Sequence, residues 1–140
     1  MTWVKICGIT RTEDAAVAAE AGADALGLVF AESPRRVSLP QAREIAQALA
    51  AVAGLRVGLP GGVGTTAASE KPLVVGVFVD APVDEVVETV WGAGLGAVQL
   101  HGEETGQYVE ALRRKLGWTN GKGPVRVIKA VRVAPGHVRG

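Results

Sequence analysis

The sequence has few of the residues that mark several classes of protein. It contains a single cysteine, Cys7, so neither an internal disulfide nor a cysteine-based zinc site can form. Aromatic residues make up only 4% of the 140 residues and the formal net charge is +1, which argues against a nucleic-acid surface. Apolar runs such as 73–79 are far shorter than the roughly 20 residues of a membrane helix, and the N-terminus does not resemble a signal peptide. We expect a cytoplasmic protein with no nucleic-acid or membrane partner.

Short apolar runs alternate along the chain with segments typical of helices. The predicted strands are 3–6, 24–30, 73–79, 96–100 and 125–131, and the predicted helices are 13–21, 38 to about 52, 80 to about 92 and 103–116. Alternation of this kind with short connections requires right-handed parallel crossovers. The chain is therefore predicted to be α/β, either an open doubly wound sheet or part of a barrel.

Two capping boxes predict where the first two helices begin. In each box a hydroxyl side chain and an acidic or amide side chain three residues later satisfy each other's backbone amides. Thr10 with Glu13 forms the first box, and Ser38 with Gln41 forms the second. Gly22 fits the left-handed position just past the end of the first helix.

The chain reads as a single domain, 1–140, with two irregular parts. The Gly/Thr/Ala-rich segment 54–72 exceeds the roughly 12 to 15 residues of an ordinary loop, and we predict a flexible insertion there. The last residues, 134–140, carry no packing pattern and are predicted to form a loose tail.

The first candidate for chemistry is Cys7, which follows the first predicted strand and precedes Gly8. This position places the thiol at the carboxyl end of a parallel sheet, where α/β proteins keep their sites. Lys5 lies two residues earlier, on the same face of the strand, and can lower the pKa of a nearby thiol. The alternative is that Cys7 is a small buried hydrophobic residue.

Further polar residues lie at or near the ends of later strands. Gln99 and His101 alternate with apolar neighbours and share one face, although His101 is equally compatible with a surface position. The pair Arg35 and Arg36 follows the second strand and can bind a carboxylate, or can simply be solvated. Lys129 lies inside the fifth strand, where an amine needs a partner or a ligand.

Six motifs, taken together and in this order, resemble the phosphoribosylanthranilate isomerase family of tryptophan biosynthesis. They are KICGIT at 5–10, GADALGLVF at 22–30, SPRRVS at 33–38, VGVFV at 75–79, VQLHG at 98–102 and VIKA at 127–130. The resemblance implies an eightfold β/α barrel of the TIM type. It also implies an intramolecular aldose–ketose isomerase that acts on N-(5-phosphoribosyl)anthranilate, by an Amadori rearrangement, without metal or organic cofactor.

The resemblance also implies roles for individual residues. Cys7 matches the family's general base, which takes a proton from C2 of the substrate's Schiff base. Arg36 matches the arginine that faces the anthranilate carboxylate. Gln99 and His101 match residues that line the substrate pocket, and Lys5 is expected beside them as a further substrate-binding residue.

The family's general acid is an aspartate at the end of the sixth strand, and its phosphate site follows strands seven and eight. The chain has no aspartate after Asp84, and its pattern covers about five strands and four helices. We therefore expect an N-terminal portion of the barrel that is inactive on its own. Two alternatives stay open: a non-catalytic half-barrel that self-associates through its sheet edges, and another phosphate-binding barrel or open-sheet binding module. Fusion to another enzyme is also left open.

Overall fold

Five parallel strands and four helices alternate in the computed structural model, which describes residues 2–57, 72–117 and 125–131. The strands are β1 (Lys5–Cys7), β2 (Ala25–Val29), β3 (Leu73–Phe78), β4 (Ala97–Leu100) and β5 (Arg126–Lys129). The helices are α1 (Thr12–Glu20), α2 (Leu39–Val57), α3 (Val83–Ala93) and α4 (Gly106–Leu116). Every strand lies within the segment predicted for it, except that β1 ends one residue later.

The strands follow one another across the sheet in the order β1-β2-β3-β4-β5. A doubly wound sheet reverses its order so that helices cover both faces, whereas right-handed crossovers repeated in one direction put all helices on one face. In agreement, α1 contacts α2, α2 contacts α3 and α3 contacts α4. The α/β class is confirmed, and the strand order is that of part of a β/α barrel.

The two faces of the sheet carry side chains of different size. The face covered by helices holds the main core, to which the strands contribute Leu26, Leu28, Val74, Phe78, Val98 and Leu100. The opposite face, called here the inner face, holds a smaller cluster of Ala25, Val75 and Ala97. Because side chains alternate along a strand, the register places Lys5, Cys7, Gly27 and Gln99 on this inner face as well.

The sheet is curved, as a barrel wall must be. Lys5 on β1 and Gln99 on β4 are separated by three strand spacings, which is about 14 Å in a flat sheet. The Lys5 ammonium nevertheless donates a hydrogen bond to Gln99 Oε1. The inner face is therefore concave, and its side chains converge.

The capping boxes have opposite outcomes. At α2, Ser38 N donates to Gln41 Oε1 at 2.9 Å and Gln41 N donates to Ser38 Oγ at 3.3 Å, so this box is confirmed. The box of Thr10 with Glu13 is wrong, because α1 begins one residue later than that box requires and its N-cap is Arg11. The Glu13 carboxylate accepts a hydrogen bond from the Arg11 side chain at 3.3 Å instead.

Helix α2 continues to Val57, beyond its predicted end near Val52. The segment 54–57, predicted to belong to an insertion, is therefore helical. Leu55 and Arg56 are good helix formers, and the helix continues through Gly54 although that residue costs about 1 kcal/mol relative to alanine. The rest of the predicted insertion that lies within 58–71, and the predicted tail at 134–140, fall outside the described residues.

Apolar side chains remain exposed at the two edge strands of the described sheet. Val4 and Ile6 are 45% and 37% exposed at β1, and Val131 is 74% exposed just past β5. None of the helices within the described residues is both long and apolar enough to cross a bilayer.

Candidate active site

The Cys7 thiol lies at the carboxyl end of β1, on the inner face, and is exposed. The alternative that Cys7 is a buried hydrophobic residue is therefore wrong. Its neighbour across the sheet is Gly27, and a Cβ built on Gly27 would lie 2.8 Å from Cys7 Sγ. Since a real Cβ does not approach that closely, the thiol occupies its position because residue 27 has no side chain.

Lys5, Gln99 and His101 form a connected series across the inner face. The Lys5 ammonium donates to Gln99 Oε1, and Gln99 Nε2 lies 3.5 Å from His101 Nδ1. The backbone N–H of His101 donates to Phe78 O at 2.9 Å, which holds this residue in line with the strand ends. The structure thus brings together three of the predicted site residues: Lys5, Gln99 and His101.

The two arginines after β2 lie in different surroundings. Arg35 packs against Gly8, the residue after the thiol: a Cβ on Gly8 would lie 2.7 Å from Arg35 Cδ. The backbone of Arg36 forms a parallel bridge with Val29, which fixes it beside the end of β2. The local residue pattern does not separate these two neighbours, because their difference arises from the fold of the loop, and only the family resemblance singled out Arg36.

Arg36 also lines a cavity of about 910 Å³ between the β2–α2 and β3–α3 connections. Other residues of its wall include Phe30, Phe78, Asp80 and Glu85. Within this wall Phe30 and Phe78 stack, with their ring centroids 5.1 Å apart. Cys7, Gln99 and His101 are not among the residues that line this cavity.

A buried carboxylate, missed by sequence reasoning, joins the ends of β3, β4 and β5. The Glu104 side chain is 1% exposed and pairs with Lys129 Nζ at 2.8 Å. It also accepts hydrogen bonds from the backbone N–H groups of Asp80 and Gly102, each at 2.9 Å. This pair supplies the partner that the strand amine of Lys129 requires. The polar residues around Glu104 are typical of an exposed helix start, so the sequence pattern did not indicate that this side chain is buried.

Burial and hydrogen bonding act in opposite directions on Glu104. Burial raises the pKa of this carboxyl, but the hydrogen bonds from Lys129 and from the backbone of Asp80 and Gly102 hold the pKa below its ordinary value. Glu104 is therefore an anion at neutral pH. Asp80 reaches the network through a left-handed backbone, φ 50°, and accepts from Glu103 N at 2.8 Å.

Tyr108 lies next to the hydrogen-bond network of Glu104 and Asp80. Its hydroxyl donates to Ala81 O at 2.6 Å, at the start of α3. Burial, together with the negative charges of Glu104, Asp80 and Glu85, raises the pKa of Tyr108 to about 12. The phenol therefore stays protonated and acts as a donor throughout the physiological range.

Within 2–57, 72–117 and 125–131, no three His, Cys, Asp or Glu side chains are grouped closely enough to hold a metal ion. The chemistry available at the inner face is that of a thiol, an imidazole, an amide and an ammonium group. These groups can transfer protons and bind anionic oxygens.

The amino-acid sequence matches a known enzyme family. Residues 63–123 match the profile of N-(5'-phosphoribosyl)anthranilate (PRA) isomerase. The chain is 46% identical over 134 residues to the N-(5'-phosphoribosyl)anthranilate isomerase of Rubrobacter xylanophilus, covering 95% of this chain and 52% of that protein. It is 40% identical over 137 residues to the corresponding protein of Thermotoga neapolitana, covering 96% and 52%. The chain thus spans about half the length of the curated relatives it matches.

Solved structures of phosphoribosyl anthranilate isomerases are similar to this chain in fold as well. The phosphoribosyl anthranilate isomerase of Thermus thermophilus matches with a TM-score of 0.68 and 38% identity, over 94% of this chain and 52% of that one. A phosphoribosyl anthranilate isomerase crystallised with reduced 1-(o-carboxyphenylamino)-1-deoxyribulose 5-phosphate matches with a TM-score of 0.69 and 36% identity, over 96% and 55%. The described fold is therefore part of the barrel found in these enzymes.

Proposed function

From the relation of this chain in sequence and fold to the N-(5'-phosphoribosyl)anthranilate isomerase family, we propose that the protein containing it is such an isomerase. It acts in the cytoplasm, in tryptophan biosynthesis. Its substrate is N-(5-phosphoribosyl)anthranilate and its product is 1-(2-carboxyphenylamino)-1-deoxyribulose 5-phosphate. The ligand of the related crystal structure is a reduced form of this product.

One observation carries this proposal: an exposed thiol at the end of β1, on the concave face, next to a glycine that leaves room for it. The carboxyl end of the strands is where β/α barrels bind and convert their substrates. Across this face, Gln99 and His101 supply polar groups at the same end. The arrangement suits proton transfer to and from a small polar substrate.

Cys7 is the general base of the proposed reaction. After the ribose ring has opened, C1 and the anilino nitrogen form a protonated Schiff base. The Cys7 thiolate takes the proton from C2, and the C2–H electron pair forms the C1–C2 double bond as the C1–N double bond becomes single. The resulting enolamine gains a proton at C1 and loses one from the C2 hydroxyl, which gives the aminoketose. No electron leaves or enters, so the step needs no cofactor.

The remaining predicted residues bind the substrate. Arg36, fixed beside Val29 at the end of β2, offers a planar guanidinium that suits the anthranilate carboxylate. Gln99 on β4 and His101 just after it form a further part of the binding surface, and Lys5 on β1 is hydrogen-bonded to Gln99. The proton donor that opens the ring and the phosphate-binding loops are assigned by the resemblance to strands six to eight.

We propose that the 140-residue chain does not turn over substrate by itself. Five strands cannot close an eight-stranded sheet, and a missing general acid alone removes roughly 10²- to 10⁴-fold in rate. Val4, Ile6 and Val131 are exposed at the two edge strands of the described sheet, as expected for a barrel wall that is not closed.

The test is Cys7→Ser in the full-length protein, assayed with phosphoribosylanthranilate. Since serine is a far weaker acid than cysteine, we expect kcat to fall by roughly 10²- to 10⁴-fold. Affinity for the reduced product analogue and the circular dichroism spectrum should be retained. A variant with nearly unchanged kcat would refute the role of Cys7, and an inactive wild-type protein would refute the proposed function.

A second candidate function is a non-catalytic half-barrel that pairs through its open edges, and it is favoured by the same exposed edge residues. Sheet edges with unpaired backbone groups readily add another strand. In that case the 140-residue chain forms stable, defined dimers at micromolar concentration. A longer isomerase that contains this chain is then not required. Sedimentation velocity distinguishes the defined dimer from a monomer or from heterogeneous aggregates.

A further inference from the structure

The series Lys5, Gln99 and His101 fixes more than the position of a histidine. We propose that Lys5 and Gln99 are positioning residues that set the tautomer of His101, leaving its Nε2–H as a hydrogen-bond donor at the carboxyl end of β4. Its acceptor is an anionic oxygen of the substrate. The identity of that ligand rests on the proposed function, whereas the tautomer does not.

The orientation of the Gln99 amide follows from what each group can donate. An ammonium group has three donors and no acceptor, so Lys5 can bind only the amide oxygen. The amide nitrogen is then the atom that faces His101 Nδ1, at 3.5 Å. A lysine in place is thus sufficient to define which way the amide points.

The tautomer follows from the amide orientation. An amide nitrogen has donors only, so Nδ1 of the neutral imidazole must accept, and the ring proton resides on Nε2. Both orienting residues lie on strands, β1 and β4, which are joined through β2 and β3 in a continuous hydrogen-bonded sheet. The arrangement is therefore built into the barrel wall and precedes ligand binding.

The discriminating variant is Gln99→Glu in the full-length protein. A carboxylate of the same shape has two acceptor oxygens: one binds Lys5, and the other requires a donor from His101. We expect the neutral ring of His101 to change from the Nε2–H form to the Nδ1–H form. A second variant, Lys5→Met, frees the amide to turn, and we expect the Nδ1–H population of His101 to rise.

The measurement is long-range ¹H–¹⁵N NMR of the histidine rings without substrate, at a pH where His101 is neutral. Protonated and unprotonated ring nitrogens have well-separated ¹⁵N shifts, and subtraction of the His101→Asn spectrum assigns the signals. Gln107→Glu is the matched control, because Gln107 is exposed on α4, outside the series. It introduces the same charge and should leave the His101 signals unchanged.

An Nδ1–H form in the wild-type protein, an Nε2–H form retained in Gln99→Glu, or an equal change in the Gln107→Glu control would each overturn the proposal. An unchanged tautomer population in Lys5→Met would overturn the proposed role of Lys5 as a positioning residue. If Gln99→Glu fails to fold, Lys5→Met tests the series from its other end. Because these spectra contain no substrate, they separate this inference from the isomerase activity, which is measured by turnover.

Discussion

At the scale of single residues, the site depends on a glycine next to the thiol. Gly27 faces Cys7 on the neighbouring strand, and a Cβ at position 27 would lie 2.8 Å from the thiol sulfur and 3.2 Å from Cys7 Cα. The second contact is with backbone, which cannot move aside as a flexible side chain can. The position of the thiol is thus set from β2.

Gly27→Ala should therefore displace the thiol and strain the sheet. We expect the free energy of unfolding to fall by about 1–3 kcal/mol, as for overpacked cores, and kcat to fall more than the affinity for the product analogue. Urea denaturation and steady-state kinetics measure the two effects. Gly106→Ala is the control, because no atom lies within 4 Å of a Cβ at that position. A Gly27→Ala enzyme with wild-type kcat would contradict this account.

The neighbours Arg35 and Arg36 provide a matched pair of substitutions. Arg36→Gln removes the proposed partner of the anthranilate carboxylate, so we expect KM to rise at least tenfold, in line with the loss of a charged hydrogen bond of about 1.5–3 kcal/mol. Arg35→Gln removes packing on Gly8 and should change KM much less. Equal increases in KM for both variants would show that Arg36 has no special role.

At the scale of elements, Glu104 ties together three strand ends. Its carboxylate binds the Lys129 ammonium of β5 and the backbone N–H groups of Asp80, after β3, and Gly102, after β4. A buried charge of this kind is stable only when all its partners are present. The network holds the connections that border the site in one arrangement.

Glu104→Gln should lower the free energy of unfolding at pH 7 by about 1.5–3 kcal/mol, because it leaves Lys129 without its counter-charge. The hydrogen bonds hold the pKa of Glu104 in the folded protein below 4.5, its ordinary value. The stabilising effect is therefore complete above that value and is lost as the pH falls through the folded-state pKa.

Urea denaturation at pH 7 and at acidic pH should accordingly show a difference between wild type and Glu104→Gln that shrinks in acid. Glu110→Gln serves as the control, because Glu110 is 73% exposed and its ion pair with Arg114 contributes little. A difference that is independent of pH would contradict the charge-based explanation.

Tyr108 connects α4 to the start of α3 and predicts a high-pH effect. Burial and nearby carboxylates raise its pKa to about 12, so the contribution of Tyr108 to stability is complete below its ordinary value of 10.0 and is lost as the pH rises towards 12. The ultraviolet difference spectrum between wild type and Tyr108→Phe should show a phenol ionising near pH 12. A midpoint near 10 would contradict the burial of the phenol beside Glu104, Asp80 and Glu85.

The sequence predicted elements better than it predicted connections. Apolar runs located all five strands, and the box of Ser38 with Gln41 located the start of α2. The local pattern was wrong at the start of α1, where Arg11, and not the neighbouring Thr10, is the N-cap. The long-range features, such as the Lys5–Gln99 contact and the burial of Glu104, depend on sheet curvature and could not be predicted from local pattern.

At the scale of the whole molecule, the described sheet is curved, covered by helices on one face, and open at β1 and β5. Val4, Ile6 and Val131 are exposed there. Apolar groups and unpaired backbone at an edge favour association with another chain. Within the described residues the inner face, with Cys7 and its polar neighbours, is concave and open.

We therefore expect the 140-residue chain by itself to self-associate and to show no turnover of phosphoribosylanthranilate, whereas we expect the full-length protein to turn this substrate over. Sedimentation velocity across a concentration series and a fluorescence turnover assay measure these properties. A monomeric 140-residue chain with ordinary enzymic rates would contradict both the incomplete barrel and the assignment of the general acid to a later strand.

The strand order has a consequence for synthesis on the ribosome. Each strand pairs with the one translated before it, so every new βα unit can dock onto existing structure as it emerges, without waiting for distant sequence. Contacts close in sequence also favour fast folding. The Lys5–Gln99 hydrogen bond is an exception, because it joins residues 94 positions apart. It can form only after β4 has emerged, so the nascent sheet gains this link across its concave side late in translation, when four of its strands are already in place.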